Sequence, residues 1–216
     1  MQFFADTANI DELKELISLG IVEGCTTNPT ICLKEKGCNF ETQMKKIIDL
    51  VNGDVSIEVT SNKYEEMLKQ ARLFSSWGKN VVVKIPMNRD GLKAVFTLGK
   101  EGISTNVTAC MATKQAILAA KAGAKYVSFF WARIEDMGHS AKDTVTSTVE
   151  LFRFHEIPTK IIVGSLRQMS QINDALQTGA DILTIVPELL YAMIDHPRTE
   201  STIAEFLDNW KKFTEK

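Results

Sequence analysis

Histidine and proline are scarce, with three and five residues among 216. His139, His155 and His196 are scattered, which gives little support to a Ser-His-Asp triad or a histidine-ligated metal. The four cysteines, Cys25, Cys32, Cys38 and Cys110, form neither a CxxC pair nor a zinc spacing, and no histidine follows at ligand distance. They are expected to be reduced thiols, some of them packed in the core. Long apolar runs are missing too: VVVKIP, TKIIVG and ILTIV are far too short to cross a bilayer. Neither sign of charge prevails, since 25 basic against 27 acidic residues leave a formal charge of −2. That balance argues against a general nucleic-acid binder while leaving room for a local basic site. The opening MQFFADTANIDELKE turns acidic at once and lacks the basic-then-apolar build of a signal peptide. The expectation is a cytoplasmic protein with no membrane and no nucleic-acid partner.

What is present is one alternation, repeated. Short apolar or β-branched runs end in a small polar residue, and a segment of helical period follows each. QFFAD leads to IDELKELISLG, with Asn9 as N-cap and Gly20 as the stop. EGCTTNP leads to FETQMKKIIDLV, DVSIEVT to YEEMLKQARLFSSW, and KNVVVKIP to DGLKAVFTLGK. ISTNVTA leads to ATKQAILAAKAG, and KYVSFFWAR to a helix from about Asp143 to His155. PTKIIVGS leads to QMSQINDALQTG, and DILTIVP to ELLYAMID. Eight strand–helix units in constant order predict a parallel sheet, because consecutive parallel strands need a crossover. Eight units can close on themselves. An open dinucleotide-binding sheet would show GxGxxG after its first strand, and none is there. No linker or shift in composition divides the chain. The expected fold is α/β: a single (β/α)8 barrel domain over residues 1–216, with an additional helix at about 199–214.

Barrel enzymes carry their reacting groups at the carboxyl ends of the strands. Here those ends supply Asp6, then Thr26, Thr27 and Asn28, then Glu58, then Lys84. Asn106 with Thr108, Ser128 with Arg133, and Ser165 with Arg167 follow. Each alone has a bland explanation as a cap or turn residue, and Asp6 could equally cap the first helix. Lys84 is harder to dismiss. In VVVKIP it shares a strand face with Val82, among apolar neighbours. Its amine either snorkels to the rim or stays desolvated, and burial favours a neutral lysine amine able to attack a carbonyl.

Together the segments FFADTANIDELKEL, GCTTNPTI, VSIEV, VVVKIPM, TNVTA, YVSFFWAR and GSLR resemble, in order, the short-chain transaldolase and fructose-6-phosphate aldolase family. The resemblance extends to HPRTESTIAEFLDNW near the end. It implies a class I mechanism on a (β/α)8 barrel, with no metal and no cofactor. It places Lys84 as the Schiff-base lysine and Asp6 as the acid/base at the C4 hydroxyl. Glu58 with Thr108 matches the pair that works through a water. Thr26, Asn28, Asn106 and Ser128 match substrate-binding groups, the two asparagines holding the dihydroxyacetone hydroxyls. Arg133, Ser165 and Arg167 match the site for the distal anion. In similar short members the terminal helix packs on a neighbouring subunit, so a homo-oligomer, a pentamer or a decamer, is expected.

Glu58, Phe130 and Asn106 follow the transaldolase branch of that resemblance; the aldolase branch carries glutamine, tyrosine and an apolar residue there. The expected activity is transfer of a dihydroxyacetone unit from a ketose phosphate of the fructose 6-phosphate type to an aldehyde. The alternatives are aldolase-type release of dihydroxyacetone, or transfer from another anionic ketose, such as a sulfonated one. The last arises because ACMATKQ, FFWAR and GSLRQMS depart from the usual family pattern near the distal half, with Trp131 adding bulk beside Arg133. The plainer reading is that Trp131 and Met111 repack the outer layer of the barrel. A silent binding barrel and a phosphate-binding isomerase are the other readings. The first leaves the filled catalytic positions unexplained, and the second lacks its glycine-rich phosphate loop.

Overall fold

The computed structural model describes residues 1–35, 37 and 39–215. Cys38 falls outside them; Cys25 and Cys110 are buried and Cys32 is half-buried. The barrel closes in chain order from eight parallel strands: β1 (Gln2–Asp6), β2 (Gly24–Thr26), β3 (Val55–Glu58), β4 (Val81–Pro86), β5 (Thr105–Cys110), β6 (Tyr126–Phe130), β7 (Lys160–Gly164) and β8 (Ile182–Ile185). The helices outside it are α1 (Ile10–Ser18), α2 (Pro29–Cys32), α3 (Phe40–Leu50), α4 (Tyr64–Ser75), α5 (Arg89–Lys100) and α6 (Thr113–Lys121). They continue with α7 (Trp131–Asp136), α8 (Ala141–Phe154), α9 (Met169–Gln177), α10 (Pro187–Ile194) and α11 (Pro197–Thr214). The expected (β/α)8 barrel with a further C-terminal helix is the observed architecture.

Strand alternation divides the apolar side chains into two layers. Phe4, Val82, Tyr126, Ile162 and Ile182 form a plug within the barrel, and Phe4 meets Tyr126 edge-on at 6.4 Å between ring centroids. The larger layer, with Val81, Val83 and Ile85 of β4 among its members, lies under the helices. Since Val82 belongs to the interior plug, Lys84 stands one step above it on the same face. The plug fills the lower barrel with apolar bulk, so polar side chains gather above it, at the carboxyl ends.

Helix starts obey local chemistry. Asn9 caps α1 by accepting from the backbone N–H groups of Asp11 and Glu12, so Asp6 is free of the capping role open to it in the sequence. Asn28 caps α2 through Ile31 N–H, with Pro29 in the first turn. Helix α2 had no forecast from periodicity, being a single turn. Around YVSFFWAR the structure corrects the expectation of a strand that runs on to Arg133. Pairing with β7 ends at Phe130 opposite Gly164, and α7 begins at once. Trp131 Nε1 donates to Glu135 Oε1 at 2.8 Å, a one-turn helical bond that outweighs the strand preference of an aromatic run.

Candidate active site

Register brings the polar strand ends to a common height. Glu58 is paired with Lys84 across β3 and β4, Lys84 with Asn106 across β4 and β5, and Asp6 with Thr26 across β1 and β2. Above them opens a cavity of about 460 Å³. Of the residues marked out in the sequence, Asp6, Thr26, Asn28, Glu58, Lys84, Ser128, Phe130, Arg133 and Ser165 line it. Asn106, Thr108 and Arg167 do not.

Lys84 is 4% exposed. Its Nζ lies 3.1 Å from Glu58 Oε2 and donates to the Thr27 carbonyl oxygen at 3.3 Å. The Phe130 ring centre is 5.9 Å away, which supplies an apolar wall. An amine so placed has left bulk water while keeping one carboxylate and one carbonyl as partners, and its remaining approach is through the cavity. The open alternative of a snorkelling stem is thereby removed, because the head does not reach the rim.

Asp6 faces the same cavity. Burial pushes its carboxyl above the usual range; the Lys84 charge, and then a hydrogen bond from Thr26, pull it part of the way back. Thr26 Oγ1 donates to Asp6 Oδ1 at 2.7 Å and lies 2.5 Å from Thr184 Oγ1. Deeper in the barrel, the Asn106 amide is held at both ends. Ser128 Oγ donates to its Oδ1 at 2.8 Å, and its Nδ2 donates to Ser56 Oγ at 3.2 Å. One Nδ2 proton remains for a further acceptor. Thr108 Oγ1 is buried and has no hydrogen-bond partner among the described residues. It sits on the irregular end of β5, where the register with β6 shifts between Val107 and Cys110 and Ala109 takes φ +60°.

The cationic side of the site differs from expectation. Arg133, on α7, is exposed at the cavity wall, whereas Arg167 turns to Asp136, with Nη1 3.2 Å from Oδ2. Trp131 is 1% exposed, packs in the layer under the helices and is absent from the cavity wall. Six cavity residues escaped the sequence reading: Pro29, Thr30, Ile31, Lys34, Gly164 and Thr184. Thr184 is the one polar residue inside the apolar strand ILTI, and that interruption was the available signal. Lys34 follows the single turn α2, and nothing in its local pattern marks it. Gly164 keeps the wall open beside Thr184: a Cβ there would lie 2.9 Å from Thr184 Cγ2.

The family model described as Transaldolase/Fructose-6-phosphate aldolase matches residues 3–216. The chain belongs to that family. A "Probable transaldolase" of Petrotoga mobilis is 46% identical over 213 residues, covering 99% of this chain and 96% of its own length. Proteins of the same name from Methanococcus maripaludis and Bacillus cereus are 44% identical over 214 residues (99% of each chain) and 43% identical over 216 residues (100% of each chain). A solved flavocytochrome b2 variant superposes with a TM-score of 0.57 over 88% of this chain, at 11% identity. This chain spans 57% of that structure's length, and the likeness is one of fold alone. As a member of the transaldolase/aldolase family the protein is an enzyme of transaldolase type. Among the described residues no helix is long and apolar enough to cross a membrane, and no cluster of three His, Cys, Asp or Glu could hold a metal ion.

Proposed function

We propose that the protein transfers a dihydroxyacetone unit from a ketose phosphate to an aldehyde, through an imine on Lys84. The observation that carries this reading is a buried lysine amine at a cavity wall, 3.1 Å from Glu58 and on the cavity that Asp6 also faces. The Lys84 amine adds to the C2 carbonyl, and the resulting carbinolamine loses water to give an iminium. Glu58 shuttles the protons of that step through a water, for which the unpartnered Thr108 hydroxyl is a natural anchor. Asp6 then takes the proton of the C4 hydroxyl as the C3–C4 bond breaks. The bonding pair moves into the iminium, which becomes an enamine, and an aldehyde leaves. The next aldehyde reverses these events, Asp6 returning its proton to the new hydroxyl. The remaining Asn106 proton, Ser128 and Asn28 orient the dihydroxyacetone hydroxyls.

The distal anion meets Arg133 and Ser165, with Lys34 as a second cation on the same cavity. Glu58 and Phe130 favour transfer over hydrolysis, since a phenyl ring beside Lys84 offers no hydroxyl to hold a water against the enamine. With Trp131 withdrawn from the cavity wall, the distal half keeps room for a phosphate.

The test is reduction with borohydride in the presence of fructose 6-phosphate, followed by peptide mass analysis. The expected result is a covalent adduct on Lys84, absent in Lys84→Met, which folds but does not turn over. Retained activity in Lys84→Met overturns the reading. An assay with and without an aldehyde acceptor separates transferase from aldolase.

A further inference from the structure

Thr184 lies on β8, and its partner Thr26 lies on β2, 158 residues earlier. Both flank β1, the strand that ends in Asp6. Thr26 Oγ1 is 2.7 Å from Asp6 Oδ1 and 2.5 Å from Thr184 Oγ1. A hydroxyl owns one proton. With Asp6 ionised, the Thr26 proton is committed to Oδ1, since a carboxylate oxygen can only accept. The short contact between the two threonines then requires Thr184 to donate to Thr26. The direction of the whole chain follows: Thr184 to Thr26 to Asp6. We propose that Thr184 is a positioning residue for the acid/base step, polarising the Thr26 hydroxyl so that it holds Asp6 Oδ1 and leaves Oδ2 as the oxygen that exchanges protons with substrate.

The physical consequence is a bias on the protonation of Asp6. A donor already accepting from another hydroxyl is a stronger donor, and a hydrogen bond to the charged form of an acid favours that form. Burial acts on Asp6 in the opposite sense. The other charged or titratable groups that bear on it are Lys84 from β4, Glu58 from β3, Cys25 from β2 and Lys34 beyond α2. Strand β8 brings Thr184 and no charged group. Thr184 therefore acts on Asp6 through Thr26, and β8 adds no charge of its own.

This inference rests on the assignment of Asp6 as acid/base, and Asp6→Asn tests that assignment separately: an active Asp6→Asn enzyme removes both. The test of Thr184 itself is the pH profile of kcat/KM for wild type, Thr184→Ser, Thr184→Val and Thr184→Ala. Valine places a methyl group against Thr26, so alanine, which adds nothing, guards against a purely steric effect. Removing the Thr184 hydroxyl weakens support for the Asp6 carboxylate, so the acid limb moves to higher pH, by roughly half a unit. On the acid side of the limb activity falls by about threefold, half a pH unit being about that ratio. Thr184→Ser keeps the wild-type limb. An acid limb that is unmoved in both Val and Ala variants overturns the proposal while leaving Asp6 in its role. A higher KM with an unshifted limb also overturns it, because Thr184 would then be touching substrate and not acting through Thr26.

Discussion

In the proposed reaction, two side chains beside Lys84 bear on the balance between transfer and hydrolysis. The Phe130 ring stands 5.9 Å from the Lys84 amine, and Glu58 Oε2 stands 3.1 Å from it. Phe130→Tyr adds a hydroxyl that can hold water, and Glu58→Gln removes a charge. Each should raise the ratio of dihydroxyacetone release to ketose formation by about tenfold, a barrier difference of roughly 1.4 kcal/mol. The measurement is free dihydroxyacetone against product ketose with a good acceptor present; an unchanged ratio defeats the explanation. The cations give a second prediction. Arg167 is occupied by Asp136, while Lys34 and Arg133 face the cavity. Lys34→Ala and Arg133→Ala should raise KM for fructose 6-phosphate about tenfold or more and leave unphosphorylated fructose unaffected. Arg167→Ala should change KM by less than either. A larger effect from Arg167 would mean that it leaves Asp136 when substrate arrives. The sequence marked Arg133 and Arg167 alike, because both follow strand ends. It could not show that one would find a carboxylate on α7.

At the scale of the element, strand β4 and helix α5 carry Lys84 between them. Gly91 lies in the first turn of α5, where an added Cβ would stand 2.0 Å from the Pro86 carbonyl oxygen at the end of β4. That oxygen belongs to backbone and cannot swing aside. Gly91→Ala should therefore cost about 1–3 kcal/mol. It should also lower kcat, since Pro86 is two residues beyond Lys84. Gly99, in the last turn of the same helix, has nothing within 4 Å of such a Cβ. Gly99→Ala should stabilise the protein by about 0.5–1 kcal/mol through the lower entropy of the unfolded chain. Thermal melts of the two variants check both signs, and a Gly91→Ala enzyme with wild-type Tm and kcat would show that α5 can shift without disturbing β4. Elements were legible wherever hydrophobic period was long, as in α1, α4 and α5. Helix α7 was not, because its aromatic opening reads as strand and no capping side chain marks its start.

For the whole molecule, the unsettled surface is α11. It has no buried residue, and Phe206, Trp210 and Phe213 are 65%, 63% and 71% exposed. Ile203 and Leu207 extend the same apolar face. A face of this size costs free energy in water, and burying each such side chain returns about 1.5–3 kcal/mol. We propose that α11 packs on a second copy of the chain in a homo-oligomeric ring. Light scattering should give a mass several times 24.1 kDa, and Phe206→Glu with Trp210→Glu should lower it. A monomeric wild type at working concentration removes the proposal.

The sequence by itself determined the kind and order of the eight strands and of the longer helices, though not of α2 and α7, since apolar periods of two and near 3.6 are written locally. It also put Lys84 on the strand face of Val82, and the structure showed that face to be the barrel interior. Tertiary structure alone decided which polar ends would meet. The heights of Glu58 beside Lys84, and of Thr26 between Asp6 and Thr184, depend on the register of every strand in a closed ring. Local sequence carries the face that a side chain takes; its height against a neighbour is set only when β1 pairs with β8 and the barrel shuts.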